Sequence, residues 1–131
     1  MKYESKIEIL LNPEILAKRT VDIFIAESKK ALANKKSFFV ALSGGSTPRR
    51  FFELLGTLPQ TKDLPWNRIH LFWVDERYVP VTSPENNYKM AADTFLNKVA
   101  IPKDNIHHIP TEFSDIDAAA REYEKIIINY F

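Results

Sequence analysis

The chain has 131 residues, 45% of them hydrophobic and 27% charged, and its 18 basic and 17 acidic side chains leave a net charge of +1. This composition predicts one soluble globular domain, with no charge excess that would attract nucleic acid or an anionic membrane. The chain contains no cysteine, which excludes disulfides, cysteine-ligated zinc and thiol nucleophiles.

The sequence predicts neither secretion nor insertion into a membrane. No run approaches the roughly 20 apolar residues that span a bilayer. The first residues, Met1 to Glu4, are polar and lack the apolar core of a signal peptide. We therefore expect a cytoplasmic protein.

The first predicted elements are a short strand and a long helix. Lys6–Leu11 is partly apolar and predicts an opening strand. Asn12 and Pro13 then have the residue types of a helix N-cap and a first helical residue. Apolar residues recur at helical spacing as far as about Asn34, so we expect the helix to end there.

A buried strand and a second helix follow. Phe38–Leu42 is a continuous apolar run, which is typical of a strand covered on both faces in a parallel sheet. The polar segment Ser43–Pro48 comes directly after it. Thr47 is the expected N-cap of the next helix, with Pro48 as its first residue.

The remaining elements alternate in the same way. Ile69–Val74 predicts a second buried strand that runs into Asp75–Arg77. We expect a helix over Asn87–Leu96 and a short strand over Ile106–Ile109.

The last predicted element is an amphipathic helix. Ser114 and Asp117 have the spacing of a capping box at its start. Its apolar face continues to Tyr130 and Phe131, and no C-cap residue follows. We therefore expect the helix to be the end of an N-terminal portion rather than a finished terminus.

Alternation of strands and helices predicts an α/β fold with a mostly parallel sheet and helices on both faces. Ligands of such sheets bind beyond the carboxyl ends of the strands. Ser43–Pro48 and Asp75–Arg77 both lie at such ends. If the two strands are neighbours, the two motifs face one crevice.

The first motif has the components of a phosphate-binding turn. Gly44 and Gly45 allow close backbone approach, while Ser43, Ser46 and Thr47 supply hydroxyl groups ahead of a helix N-terminus. The motif lacks the Gly-Lys-Ser/Thr of nucleotide P-loops and the Gly-x-Gly-x-x-Gly of dinucleotide sites. A smaller phosphorylated ligand therefore fits better than a nucleotide. The alternative is a tight turn that binds nothing.

The second motif offers a cation and an acid. Strand alternation predicts that Asp75 and Arg77 point to the same side. The planar guanidinium of Arg77 suits a phosphate or a carboxylate. Asp75 would orient that guanidinium or accept a hydrogen bond from a sugar hydroxyl. The alternative is a solvated surface ion pair.

The histidines do not suggest a catalytic or metal site. His70 lies among bulky apolar residues, which favours a structural role. His107 and His108 have no acidic partner at a metal-ligand spacing, so we expect no metal. No Gly-x-Ser-x-Gly segment is present to supply a serine nucleophile.

Four segments, in chain order, carry a resemblance to a known family. They are Ala41–Pro48, Trp66–Pro80, Asn87–Met90 and Asn105–Tyr123. Together they resemble the 6-phosphogluconolactonase family, and Asn86 is a departure because that family often has Ser there. At the positions of the first two segments, the related glucosamine-6-phosphate deaminases have motifs similar to Thr-Gly-Ser-Thr-Pro and Asp-Glu-Tyr. The Gly-Gly-Ser-Thr-Pro and Asp-Glu-Arg of this chain favour the lactonases.

The resemblance implies a Rossmann-like fold and hydrolysis of 6-phosphogluconolactone to 6-phosphogluconate, in the pentose phosphate pathway, without a metal or organic cofactor. By position, Ser43–Thr47 and Asn87 would hold the phosphate or ring oxygens of this phosphorylated sugar lactone. The resemblance also implies that Asp75 and Arg77 are the catalytic residues that this chain contains. Arg77 would anchor the substrate and Asp75 would brace the site. The reaction also needs a base for water and donors for the oxyanion.

The family's base is a histidine in a Gly-x-Gly-x-Asp-Gly-His-Thr loop, and no glycine follows Gly56 in this chain. The resemblance therefore implies an N-terminal portion that we expect to be inactive alone. We expect self-association or pairing with the missing half, because half a sheet leaves an unpaired edge. The alternatives are a non-enzymatic sugar-phosphate-binding module and a glucosamine-6-phosphate deaminase-like isomerase.

Overall fold

A three-stranded parallel sheet forms the centre of the computed structural model, which describes residues 5–131. The strands are β1 (Phe38–Leu42), β2 (Ile69–Trp73) and β3 (Ile106–His107), in the order β1-β2-β3. Both pairings are parallel. This arrangement confirms the predicted α/β fold. The polar residues Met1 to Glu4 lie outside the described part of the chain.

Within residues 5–131, five helices and several short 3-10 turns surround the sheet. The helices are α1 (Pro13–Asn34), α2 (Ser46–Thr57), α3 (Pro59–Lys62), α4 (Asn87–Thr94) and α5 (Ile116–Ile128). The 3-10 turns are Trp66–Arg68, Leu96–Lys98 and Lys103–Asn105. Helices α1, α2 and α4 enclose one face of the sheet, and α5 lies on the other.

The core fills the space between the sheet and helices α1, α2 and α4. Its largest side chains are no more than 2% exposed: Phe52, Leu55, Trp66, Ile69, Leu71 and Phe95. Gly56 of α2 allows close packing here, since a Cβ would lie 2.6 Å from the carbonyl oxygen of Thr94. In the described part of the chain, no helix is both long and apolar enough to cross a membrane.

The opening strand expected at Lys6–Leu11 does not form. Ile7, Ile9 and Leu11 are 84%, 94% and 92% exposed, and the segment is attached to α1 through an ion pair between Glu8 and Arg19. The prediction is wrong because a strand requires a neighbour for its N–H and C=O groups, and none of the described strands lies beside this segment.

The start of α1 agrees with the sequence, but the start of α2 does not. The Asn12 side chain accepts from Ile15 N at 2.9 Å, as an N-cap does. Helix α2 begins at Ser46, with Gly45 as its N-cap at φ +90°. Thr47 is therefore not the cap, because Gly45 adopts a conformation that side-chain-bearing residues avoid and turns the chain earlier. Pro48 still lies in the first turn, where its missing N–H costs no helical bond.

Strand β1 is covered less completely than its apolar sequence predicts. Leu42 is buried, but Phe39 is 38% exposed and Ala41 is also exposed. The prediction of burial on both faces is wrong because β1 is the edge strand of the described sheet and α5 reaches only part of this face.

The N-terminus of α5 uses a different cap from the one predicted. Asp115 is the N-cap, and its carboxylate accepts from Asp117 N at 3.1 Å, so the Ser114–Asp117 capping box is wrong. The carboxylate is the stronger acceptor and lies one residue closer to the helix. Farther along α5, the Tyr123 hydroxyl bonds both Trp73 N and Trp73 O at 2.8 Å, and burial raises the pKa of Tyr123.

The other boundaries shift by a few residues. Strand β2 ends at Trp73, although Val74 N still donates to Leu42 O at 2.9 Å. Helix α4 ends at Thr94 and continues as a 3-10 turn, and β3 has two residues.

Candidate functional site

The two motifs leave the sheet side by side. Strands β1 and β2 are parallel neighbours, and Leu42 pairs with Trp73 at their carboxyl ends. The segments that follow these two residues therefore face one crevice. A pocket of about 260 Å³ lies there, lined by Gly45, Ser46, Arg49, Arg77, Pro84, Glu85, Asn86, Asn87 and Met90.

The N-terminus of α2 opens onto this pocket. Gly45 is the N-cap of α2 and has no side chain that could accept a hydrogen bond from the first turn. That turn also carries no acidic residue. The first backbone N–H groups of a helix have no partner inside it, and they form the positive end of the helix dipole. The start of α2 can therefore donate hydrogen bonds to an anion.

Two guanidinium groups line the same pocket. The position of Arg77 after β2 predicts its place here, whereas Arg49 is not among the site residues predicted from the sequence. Within residues 5–131, neither forms an ion pair, in contrast to the adjacent Arg50, which bonds Glu14 and Glu53. Arg49 follows Ser46 by three residues and so lies on the same helix face. That spacing is the signal that could have identified it.

Asp75 and Arg77 do not act as a pair. Strand β2 ends at Trp73, so the alternation that predicted a common orientation does not extend to them. Arg77 lines the pocket and Asp75 does not. No ion pair joins the two among the described residues, which argues against the simple surface-pair interpretation. The backbone carbonyl of Asp75 accepts from Asn87 Nδ2 at 3.2 Å.

Asn87 connects the two motifs. It is 6% exposed, and its side chain lies against Gly44 so closely that a Cβ there would be 1.8 Å from Asn87 Oδ1. Gly44 is thus required for this approach, while Gly45 is required for its positive φ. Within one turn, Gly44 therefore makes room for the Asn87 side chain and Gly45 provides the backbone conformation.

Glu76 was not singled out from the sequence. Its Oε1 accepts from Arg77 N at 2.8 Å and from Asn87 N at 2.6 Å, and its Oε2 accepts from Tyr88 N at 2.9 Å. Two of these bonds reach residues more than ten positions along the chain, so no local pattern could have revealed them.

The histidines lie away from the crevice. His70 Nδ1 and His107 Nε2 are 3.0 Å apart on the α5 face of the sheet, and His108 stacks on Tyr88. Burial lowers the pKa of His70, and burial together with the charge on His70 lowers that of His107. Residues 5–131 contain no group of three or more side chains suited to hold a metal ion.

The parallel sheet, with a glycine turn and two arginines at its carboxyl edge, defines a Rossmann-like α/β fold. The sequence model of the family described as "Glucosamine-6-phosphate isomerases/6-phosphogluconolactonase" matches residues 11–131. The chain belongs to this family, and the resemblance found in its motifs is confirmed.

Individual relatives agree with this assignment. The 6-phosphogluconolactonase of Synechocystis sp. is 38% identical over 126 residues, which are 96% of this chain and 51% of that protein. The 6-phosphogluconolactonase crystal structure from Thermotoga maritima has a TM-score of 0.80 at 33% identity and matches 88% of this chain and 50% of its own. A monomeric glucosamine-6-phosphate deaminase, with a TM-score of 0.78 at 21% identity, shares the fold. The chain spans about half the length of the curated relatives it matches.

Proposed function

We propose that the protein provides the substrate-binding half of a 6-phosphogluconolactonase, which hydrolyses 6-phosphogluconolactone to 6-phosphogluconate. The observation that carries this proposal is the joint presence of the α2 N-terminus, Arg49 and Arg77 in one pocket. A phosphoryl dianion is the part of this substrate that such a set of donors suits. The family membership and the lactonase relatives support the choice of substrate.

The proposed binding mode assigns a task to each element. The phosphoryl oxygens accept from the backbone N–H groups of Ser46 and Thr47, and Arg49 and Arg77 complete the anion site. Ser43 lines the neighbouring pocket beside α1. The Asn87 side chain lies against Gly44 beneath the anion site. The exposed Asp75 carboxylate accepts a hydrogen bond from a sugar hydroxyl. In this mode Arg77 contacts the phosphoryl group inside the pocket, Asp75 contacts the part of the sugar that extends beyond the pocket, and the glycines shape the turn.

The chemical step needs a group beyond those in the crevice. A base removes a proton from water, the water oxygen bonds to the lactone carbonyl carbon, and the negative charge moves to the carbonyl oxygen. The ring C–O bond then breaks, and the ring oxygen takes a proton to become a hydroxyl. None of the three histidines lines the pocket, so we propose that the base comes from the second half that the lactonase relatives have. The chain alone is then a binding unit with little or no activity.

Affinity measurements test the proposal. Calorimetric titration with 6-phosphogluconate is expected to show binding, and gluconate without the phosphate is expected to bind far more weakly. Arg77→Ala is expected to weaken 6-phosphogluconate binding at least tenfold, because a charge-assisted hydrogen bond contributes about 1.5–3 kcal/mol.

Arg121→Ala is the matched control, since Arg121 is 64% exposed and lies on α5, away from the crevice. This control is expected to bind like the unaltered protein. Equal affinities for the phosphorylated and unphosphorylated sugar acids, or equal losses in the two variants, would contradict the proposal.

A non-enzymatic sugar-phosphate-binding module is the second candidate. The lack of a histidine in the pocket favours it. Addition of a polypeptide carrying the second half of a lactonase relative distinguishes the two: hydrolysis that appears on mixing supports the enzyme, and binding without hydrolysis supports the module. Release of ammonia from glucosamine 6-phosphate would instead support the deaminase-type isomerase.

We further propose that the protein self-associates or pairs with a polypeptide that carries the other half of the family fold. The outer edge of β1 has no strand beside it within residues 5–131, and Phe39 is 38% exposed on this strand. Unpaired edges with exposed apolar residues favour association. Light scattering coupled to size exclusion is expected to give a mass above that of one chain, and a monodisperse monomer would contradict this.

The cytoplasmic location stays a prediction, since the relatives include chloroplastic proteins.

A further inference from the structure

The carboxylate of Glu76 closes the loop between β2 and α4. It accepts three backbone N–H bonds, one from the next residue, Arg77, and two from Asn87 and Tyr88 at the start of α4. Asn86, the N-cap, accepts from Lys89 N at 2.8 Å. The first three N–H groups of α4 are therefore all satisfied, and Glu76 satisfies the two that the cap does not reach.

This bonding links Glu76 to the anion pocket through Asn87. The backbone of Asn87 is held by Glu76, its Nδ2 by Asp75 O, and its side chain fills the space left by the missing Cβ of Gly44. A shift of the α4 start would move Asn87 against Gly44. The turn at Gly44 and Gly45 sets the direction of the first N–H groups of α2, so such a shift would also misdirect those donors.

We propose that Glu76 is a positioning residue for the anion site, and this inference rests on the proposed function. Its carboxylate fixes the distance between the α2 N-terminus and Arg77 by bonding the Arg77 backbone on one side and Asn87 on the other. Glu76 itself does not line the pocket, and both of its oxygens already accept backbone N–H groups. It therefore acts through its neighbours and does not touch the ligand.

Charge makes the test of this role unambiguous. Replacing a carboxylate near an anion site by a neutral amide removes repulsion, so electrostatics alone predicts tighter anion binding. The positioning role predicts weaker anion binding instead. In Glu76→Gln, one amide oxygen accepts but the NH₂ group opposes the remaining N–H donors. We expect the affinity for 6-phosphogluconate to fall at least tenfold.

Asp115→Asn is the matched control. It makes the same charge change at another helix N-terminus, where Asp115 caps α5. We expect this variant to bind within twofold of the unaltered chain, even if its stability falls. Glu76→Asp keeps the charge but shortens the side chain by one methylene, so we expect this variant to bind 6-phosphogluconate less tightly as well. It replaces Glu76→Gln in the test if the glutamine variant does not fold. Unchanged or tighter binding in a folded Glu76 variant would overturn the proposal.

A second readout separates this inference from the proposed function. In ligand-free protein, the backbone amide NMR signals of Gly44 and Gly45 are expected to move in Glu76→Gln and to stay in place in Asp115→Asn. If the unaltered chain fails to bind 6-phosphogluconate but these glycine signals move, the proposed ligand is wrong and the positioning role stands. If the glycine signals do not move, the positioning role is wrong whatever the ligand.

Discussion

The two faces of the sheet are built differently, although the same strands contribute to both. The face beneath α1, α2 and α4 holds Ile69 and Leu71 at 0% exposure. The face beneath α5 carries Phe39, His70, Phe72 and His107, with rings that contact one another and Tyr130. The first face is fully buried and lined by aliphatic and aromatic side chains. The second face is partly exposed and contains two histidines. Most of the folding free energy should therefore come from the first face, and pH sensitivity from the second.

The largest expected difference is between two phenylalanines. Phe52→Ala removes a side chain that is 1% exposed and packs on Phe95, so we expect a loss of about 3–5 kcal/mol in unfolding free energy. Phe39→Ala on the other face removes a partly exposed ring, and a loss below about 2 kcal/mol is expected. Urea unfolding of both variants checks the comparison. Equal losses would show that the α5 face contributes as much as the core.

A smaller effect is expected where α5 is attached to β2. Tyr123→Phe removes both hydrogen bonds to Trp73 and leaves its buried N–H and C=O without that partner. A loss of about 1–3 kcal/mol is expected. Hydrogen exchange of the Trp73 amide should accelerate in the variant. A variant as stable as the unaltered chain would show that α5 is held by its aromatic contacts alone.

The smallest expected effect is a pH dependence that belongs to the α5 face. Burial lowers the pKa of His70 and of His107 below the ordinary value of 6.5. As the pH falls through 6.5, the unfolded chain therefore binds protons that the folded state does not, and stability declines until the pH passes the lowered folded-state pKa values. The melting temperature should be lower at pH 5.5 than at pH 7.5. In His70→Gln this decline should be smaller, and an unaltered decline would assign it to other groups.

Features encoded by neighbouring residues were predictable from the sequence. The apolar runs of β1 and β2 specified both strands, and Asn12 with Pro13 specified the start of α1. The rule for parallel sheets was enough to place the Ser43–Pro48 and Asp75–Arg77 motifs at the carboxyl ends of their strands. That the two strands are neighbours was left open by the sequence and is given by the structure.

Features decided by distant contacts were not predictable. The start of α2 depends on Gly45 at φ +90° and on the fit of Asn87 against Gly44, which are brought together by the packing of α2 and α4. Glu76 bonds a helix start eleven residues away. The Lys6–Leu11 prediction failed for a related reason, since a strand is defined by a neighbour that its own residues do not encode.

The most direct test of the central claim is a backbone NMR titration of the chain with 6-phosphogluconate. We expect the amide signals of Gly45, Ser46 and Thr47 and the side-chain Nε signal of Arg77 to move together with one dissociation constant, while the signals of α5 stay in place. Saturable shifts confined to α5, or no shifts at the start of α2, would contradict an anion site formed by the α2 N-terminus and Arg77.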